Sequence, residues 1–493
     1  MAHSSSLSTD HVDRHYQGGD RLIVGIVLSV ITFWLFAQTT FNVLPSMRSE
    51  LAIDTSVAEI AVSITALFAG VFIVVAGGLA DRVGRVRITQ AGLALSAAGS
   101  LLIAVSPTGT AAFLIVGRVI QGLSAACIMP ATLSLMKAYY EGDARQRALS
   151  FWSIGSWGGS GVCALLGGVV DSTLGWRAIF WMSIWVALAS ALLIRGTPES
   201  KAGADETAPT DWTGLIAFLA AAVALSVVVE RGAKLGWSSP ATLALTAVCV
   251  VASLVFIRSE RYCRHPFIDF RIFRSAGFSA ATLSNFLLNG VAGALLVALL
   301  LVQDAFGLSS LQSGLMTGGY LVAIVTSIRV GEKLQQRWGG AREPMLLGCA
   351  ITSAGLFLTT WTFLPVAVYV VTAFLGFTLF GVGLGIYATP STDAALASVS
   401  DACAGKASGI YKMASSLGTA FGVTGSAAIW SSLTNATVLS VASRGTQSAV
   451  VSNLATHTMR VGAAVALWFN VAMALLALTV VMFGMAKQRA KAS

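Results

Sequence analysis

The sequence predicts an all-helical membrane protein of about fourteen spans, and three observations carry that prediction. Hydrophobic residues make up 56% of the 493 positions and charged residues only 11%, whereas a soluble chain carries about 25% charged residues. Apolar runs of roughly 20 residues, each able to cross about 30 Å of hydrocarbon, recur along nearly the whole length. The Lys and Arg between those runs collect on alternate loops, as the positive-inside rule requires. The formal charge of +9 is then a consequence of topology and of attraction to anionic lipid, not a nucleic-acid footprint.

The elements follow in order. Residues 1–20 are polar and lack both an apolar core and a small-residue cleavage site, so they read as a cytoplasmic tail rather than a signal peptide. Hydropathy places spans at 22–44, 57–80, 88–106, 111–136, 149–170 and 176–194. Two more follow at 212–229 and 241–257, then a last group at 278–302, 311–328, 345–363, 366–389, 407–430 and 461–485. With the tail on one side, most of the 31 Lys and Arg share that side, while the other holds only Arg48, Arg177, Arg231, Lys234, Arg444 and Arg460. Arg118 and Lys412 fall within helices. Both termini are therefore expected in the cytoplasm, the second as a short tail at 487–493.

Two polar stretches divide the spans, an acidic one with Gly and Pro at 195–211 and a basic one at 258–274. The expected organisation is a six-helix bundle at 21–200, a linker with two accessory spans at 201–274, and a second six-helix bundle at 275–486. The six cysteines show no metal-ligand spacing and no pair placed for oxidation, and they read as packing residues.

One loop stands out chemically. Gly77-Gly78-Leu79-Ala80-Asp81-Arg82-Val83-Gly84-Arg85-Val86-Arg87 is a short hairpin between two spans. It sets one carboxylate and three guanidinium groups at a single membrane face, a combination that orientation alone does not require. An echo, Gly331-Glu332-Lys333 through Arg337-Trp338-Gly339, lies in the corresponding loop of the second bundle. It points to a parallel repeat with a site between the halves.

The pattern G-x-L-A-D-R-x-G-R in the first loop resembles the loop between helices 2 and 3 of major facilitator superfamily transporters. Arg118-Val119-Ile120-Gln121-Gly122 is similar to that superfamily's R-x-x-Q-G motif in the fourth helix. The dense glycines Gly155, Gly158, Gly159, Gly161, Gly167 and Gly168 resemble the exporter motif of the fifth, without its glycine–proline pair. The first helix, through Gln38, Asn42 and Pro45, is similar to that of the fourteen-span drug:proton antiporter family but lacks that family's aspartate.

The resemblance implies a major facilitator fold and proton-driven drug efflux by alternating access in a bacterial plasma membrane. It also implies a gate built from Asp81, Arg85, Gly84 and Gly77. Asp81 is expected to pair with Arg85 or with the N-terminus of the helix near Ala407, where a helix dipole favours a carboxylate by about 0.3–1 kcal/mol. Arg118 has two readings, proton coupling or an interhelix tie donating to backbone carbonyls and Gln121. With no acid in the first helix, Glu59 or Asp304 is left as the proton carrier.

The substrate set is read from amides and aromatics. Trp34, Gln38 and Asn42 share one stripe of the first helix, and Asn285 and Asn289 one of the ninth. Gln121, Trp157 and Tyr387 complete the set. Such a lining suits flat, partly apolar organic compounds. The expected partners are small-molecule drugs, protons and membrane lipid, with no nucleic acid and no obligatory protein partner. No cofactor or metal is expected, and Gly405-Lys406 lacks the phosphate-cradling glycines of an ATP site. With no histidine in a predicted span, an enzyme is disfavoured. Proton-linked transport of a native metabolite is the alternative function.

Overall fold

A computed structural model describes residues 16–53, 55–201, 211–236, 238–263, 270–308, 310–442 and 449–485. The first six passes are α1 (Asp20–Leu51), α2 (Thr55–Val83), α3 (Arg85–Ala104), α4 (Ala112–Tyr139), the pair α5 and α6 (Gly142–Ser153 and Gly159–Leu174), and α7 (Arg177–Ile194). A π-helical turn, Ile154–Gly158, joins α5 to α6. Two more passes are α8 (Trp212–Leu235) and α9 (Pro240–Tyr262). The last six begin with α10 and α11 (Ala276–Gly290 and Gly293–Leu300), which continue into a second π turn, Leu301–Ala305. They end with α12 (Ser310–Trp338), α13 (Arg342–Thr359), α14 (Val366–Ala397), α15 (Ala404–Ala442) and α16 (Ala449–Gly484). The result is two six-helix bundles with two extra transmembrane helices, fourteen passes in all.

Each span read from hydropathy falls on one of these passes. By length and composition alone, nine helices qualify as membrane spans among the described residues. In the fifth pass the π turn interrupts the helix, and in α13 and α15 charged or small polar residues dilute the hydropathy. Several helices overrun the apolar segment. α12 continues to Trp338 and α14 to Ala397, so Gln335 and Asp393 stand on helices rather than in loops. α16 starts at Ala449, which corrects one expectation: His457 is helical and inside a candidate span, its ring 5.6 Å from that of Phe363.

The two bundles repeat the same packing. α2 and α3 pack on α4 as α12 and α13 pack on α14. Pro130 lies inside α4 and Pro390 inside α14. Gly99 meets Gly117 between α3 and α4, and Gly355 meets Gly376 between α13 and α14. A Cβ at any of these four would stand 2.5–2.9 Å from the partner's carbonyl oxygen. Small residues at such crossings let helix backbones approach where no hydrophobic force drives them together.

The bundles meet where α15 packs on α2 and α4, and where α12 and α14 pack on α5. α8 touches both α2 and α15, while only 6% of the apolar window of α9 is buried. Asp211 caps α8 by accepting from the Gly214 N–H at 2.8 Å, and it accepts from Ser259 of α9 at 2.8 Å, pinning the accessory pair at one end.

Candidate functional site

Between α2 and α3 the chain reverses at Gly84, whose φ of +131° is a left-handed-side value that disfavours any side chain. This turn brings Asp81 and Arg85 side by side, 3% and 2% exposed. The Asp81 carboxylate accepts from Arg85 at 3.0 Å, from the Gly405 N–H at 2.8 Å and from the Lys406 N–H at 3.1 Å. Those two amides open α15 of the other bundle, so the acid sits on orphan donors at the positive end of a helix dipole. Both partners expected for Asp81 are engaged together. Arg85 continues the bridge, donating to the Asp401 carbonyl at 2.6 Å and to Ser200 Oγ at 3.1 Å.

Close approach makes this contact possible. A Cβ at Gly77 would lie 2.3 Å from the Gly405 carbonyl oxygen, and one at Gly405 would lie 2.2 Å from that of Gly77. Lys137 of α4 reinforces the junction by pairing with Asp401 at 3.2 Å and donating to the Val399 carbonyl.

A second junction mirrors the first with different chemistry. Gln335 follows Gly331 at the spacing by which Asp81 follows Gly77. It is neutral, and it donates at 2.6 Å to Asp393 of α14. Asp393, 5% exposed, also accepts from Arg145 of α5 at 2.8 Å and so ties α12 and α14 to the first bundle. Both junctions lie at the membrane face that bears the charged α2–α3 turn.

Arg118 is 1% exposed and has the geometry of the interhelix tie. Its guanidinium donates to the carbonyls of Ala61 on α2 at 2.8 Å and Phe36 on α1 at 2.6 Å. It also donates to Gln121 Oε1 at 3.0 Å and Thr40 Oγ1 at 3.2 Å. Gln121 passes the chain on to Ser100 of α3 at 3.1 Å. Arg118 and Gln121 together therefore link four helices through oxygens that carry no formal charge.

The other sequence candidates divide. Asn285 is fully buried and donates to the Tyr411 carbonyl at 3.0 Å and Ser415 Oγ at 2.7 Å, and Asn289 donates back to Asn285 at 2.9 Å. This amide stripe binds α10 to α15. Tyr387, 1% exposed, shares a hydroxyl network with Ser284 at 2.6 Å and Ser391 at 2.8 Å, and Ser391 in turn meets Tyr411 at 2.9 Å. Trp34 and Trp157 are half-buried about the first π turn. The Trp34 ring packs on Gly159, and its Nε1 is buried without a hydrogen-bond partner. Asp304 is exposed on the second π turn. The side chains of Gln38, Asn42 and Glu59 lie outside the described residues.

Sequence reasoning missed Glu199. Its carboxylate accepts from the N–H groups of Val86 at 2.9 Å and Arg87 at 3.0 Å, capping α3, while Ser200 O accepts from the Arg85 N–H at 3.0 Å. The stretch after α7 thus clamps the charged turn. Its acid lies in the polar stretch at 195–211, read only as a divider between spans, and the signal would have been its place beside two unpaired helix-start amides. The π turns were missed as well. Although the fifth pass lacks the glycine–proline pair, the turn at Ile154–Gly158 makes it irregular.

Two helical bundles joined at one membrane face by capped helix ends and buried ion pairs define a membrane transporter. The Major Facilitator Superfamily profile matches residues 23–423. The Quinolone resistance protein NorB of Staphylococcus aureus (strain MRSA252) is 47% identical over 473 residues, covering 96% of this chain and 97% of its own length. NorB of strain MW2 gives the same figures. Among solved structures, the human organic anion transporter MFSD10 (TETRAN) superposes with a TM-score of 0.61 at 16% identity, over 94% of this chain and 98% of that one. The proton:xylose symporter XylE bound to 6-bromo-6-deoxy-D-glucose gives 0.59 at 16%, over 93% and 94%. The two structures share the fold. The chain belongs to the Major Facilitator Superfamily.

Proposed function

We propose that this chain is a multidrug exporter of the bacterial plasma membrane, exchanging amphipathic compounds, quinolones among them, for protons by alternating access. The observation that carries the reading is its 47% identity to the quinolone resistance protein NorB along 96% of the chain. The distribution of Lys and Arg supports cytoplasmic termini. On that orientation the two junctions at the charged turn close the cytoplasmic face, and Asp81, Arg85, Gly77 and Gly84 form its latch. Release of that latch would let a compound enter from the cytoplasm.

Arg118 is assigned to coupling because a guanidinium so deep in hydrocarbon is costly unless it serves. With Gln121 it holds α1, α2, α3 and α4 in one arrangement that the transport cycle must rearrange. Glu59 and Asp304, toward the opposite face, are the acids proposed to take up the proton.

Everted membrane vesicles test the reading directly. Energised with a proton gradient, they are expected to accumulate a fluoroquinolone or a fluorescent dye and to lose it when a protonophore is added. Accumulation indifferent to the protonophore removes the antiport mechanism.

A further inference from the structure

Lys412 has no part in the latch or in the Arg118 network. α15 opens at Ala404 at the charged face, so Lys412 lies about 12 Å deeper along the helix, where an ammonium group is expensive to keep. Its neighbours are neutral. Nζ donates to Ser156 Oγ at 3.2 Å and stands 4.8 Å from the Trp152 ring centroid. The other cations that join the bundles each meet a carboxylate: Arg85 meets Asp81, Arg145 meets Asp393 and Lys137 meets Asp401. Among the described residues no carboxylate pairs with Lys412. Arg118 also lacks one, but carbonyls and an amide occupy its donors and it is sealed. Lys412 is half-buried and keeps donors to spare.

Its surroundings have the form of a recognition site. Ser156 belongs to the π turn where the bundles converge. Gly155 and Gly159 of this segment face Val27 and Trp34 of α1, and Gly158 faces Val325 of α12. Trp152 is 1% exposed and held by donation to Thr132 Oγ1 at 3.1 Å, so its ring fixes the place of the ammonium group. Trp34 brings a buried indole N–H that has no acceptor. An uncompensated cation, a fixed ring and a spare donor border one irregular turn between the halves. Irregular helical turns of this kind recur at functional sites.

We propose that Lys412 sets substrate specificity by pairing with the carboxylate of an organic acid or zwitterion whose flat ring lies against the half-buried Trp34 and Trp157 at the π turn. This rests on the export reading and adds to it a subsite that favours carboxylate-bearing compounds among the amphipathic ones.

Isothermal titration calorimetry on the purified full chain tests it with nalidixic acid and its methyl ester, which differ in the carboxylate alone. The wild type is expected to bind the acid about ten-fold more tightly than the ester. In Lys412→Met the acid should fall to the affinity of the ester, with the ester itself moving by less than about two-fold. Lys412→Arg should retain the preference. Equal wild-type affinities, or no binding of either compound, overturn the proposal. So does a preference that survives in Lys412→Met, or a parallel loss of acid and ester, which would mark Lys412 as a structural tie. Failure of the export reading shows separately, as missing protonophore-sensitive accumulation in vesicles.

Discussion

Arg118 shows how one side chain can be structural and functional at once. Its planar fork reaches Ala61, Phe36 and Gln121, on three helices. A lysine carries the same charge but is a single point donor without that geometry. Each buried acceptor left unserved costs about 1–3 kcal/mol, so Arg118→Lys is expected to reach the membrane with a lowered melting temperature. If the rearrangement of this network times proton movement, transport in the variant falls far more than its expression does. Thermal scanning in detergent beside vesicle uptake separates the two effects. Uptake at the wild-type rate in a destabilised variant would leave Arg118 as a tie alone.

At the scale of helices, the latch depends on two backbones touching. Gly77 and Gly405 approach so closely that a methyl group on the first would lie 2.3 Å from a carbonyl oxygen of the second, with Pro130 Cβ of α4 3.3 Å away. Backbone atoms on a helix cannot move aside cheaply, so Gly77→Ala is expected to wedge α2 from α15 while leaving each bundle folded. Native Cys403, half-buried beside the junction, reports the change. Its labelling by an impermeant maleimide should accelerate in Gly77→Ala, and an unchanged rate would show that the junction tolerates the methyl group.

The capping of α3 is a separate matter. A side-chain cap is worth about 1 kcal/mol, so Glu199→Gln should speed hydrogen exchange at the Val86 and Arg87 amides by about five-fold. Protection equal to wild type would show that the clamp contributes nothing to the turn.

Sequence reading located the spans, the repeat and Asp81 because hydropathy and short-range glycine spacing are local properties. It did not find Glu199, the Asp393–Arg145 pair or the role of Asn285, since each depends on contacts between segments far apart in the chain. It left the Asn285 and Asn289 stripe as either a cavity wall or a helix tie, because an amide on an apolar helix looks the same whether its partner is a ligand or the next helix. Only the packed neighbour, here Tyr411 and Ser415, tells them apart.

For the molecule as a whole, export requires the two bundles to part at the face where they now meet. The interface there carries ion pairs, helix-start amides and hydroxyls, including Ser134 of α4 and Ser408 of α15, whose oxygens lie 3.4 Å apart, beside apolar side chains such as Ile73 and Ile410 of one shared core. Polar contacts of this kind can exchange for water as the face opens. A covalent link at that point forbids the motion without altering either bundle. In a chain whose native cysteines are replaced, Ser134→Cys combined with Ser408→Cys is expected to oxidise readily, because the side chains already touch. Oxidised protein should then bind substrate added from the opposite face but transport none, and reduction should restore uptake. Transport that continues through the oxidised link would mean that substrate passes without separation of the bundles at this face, and alternating access about the latch would have to be abandoned.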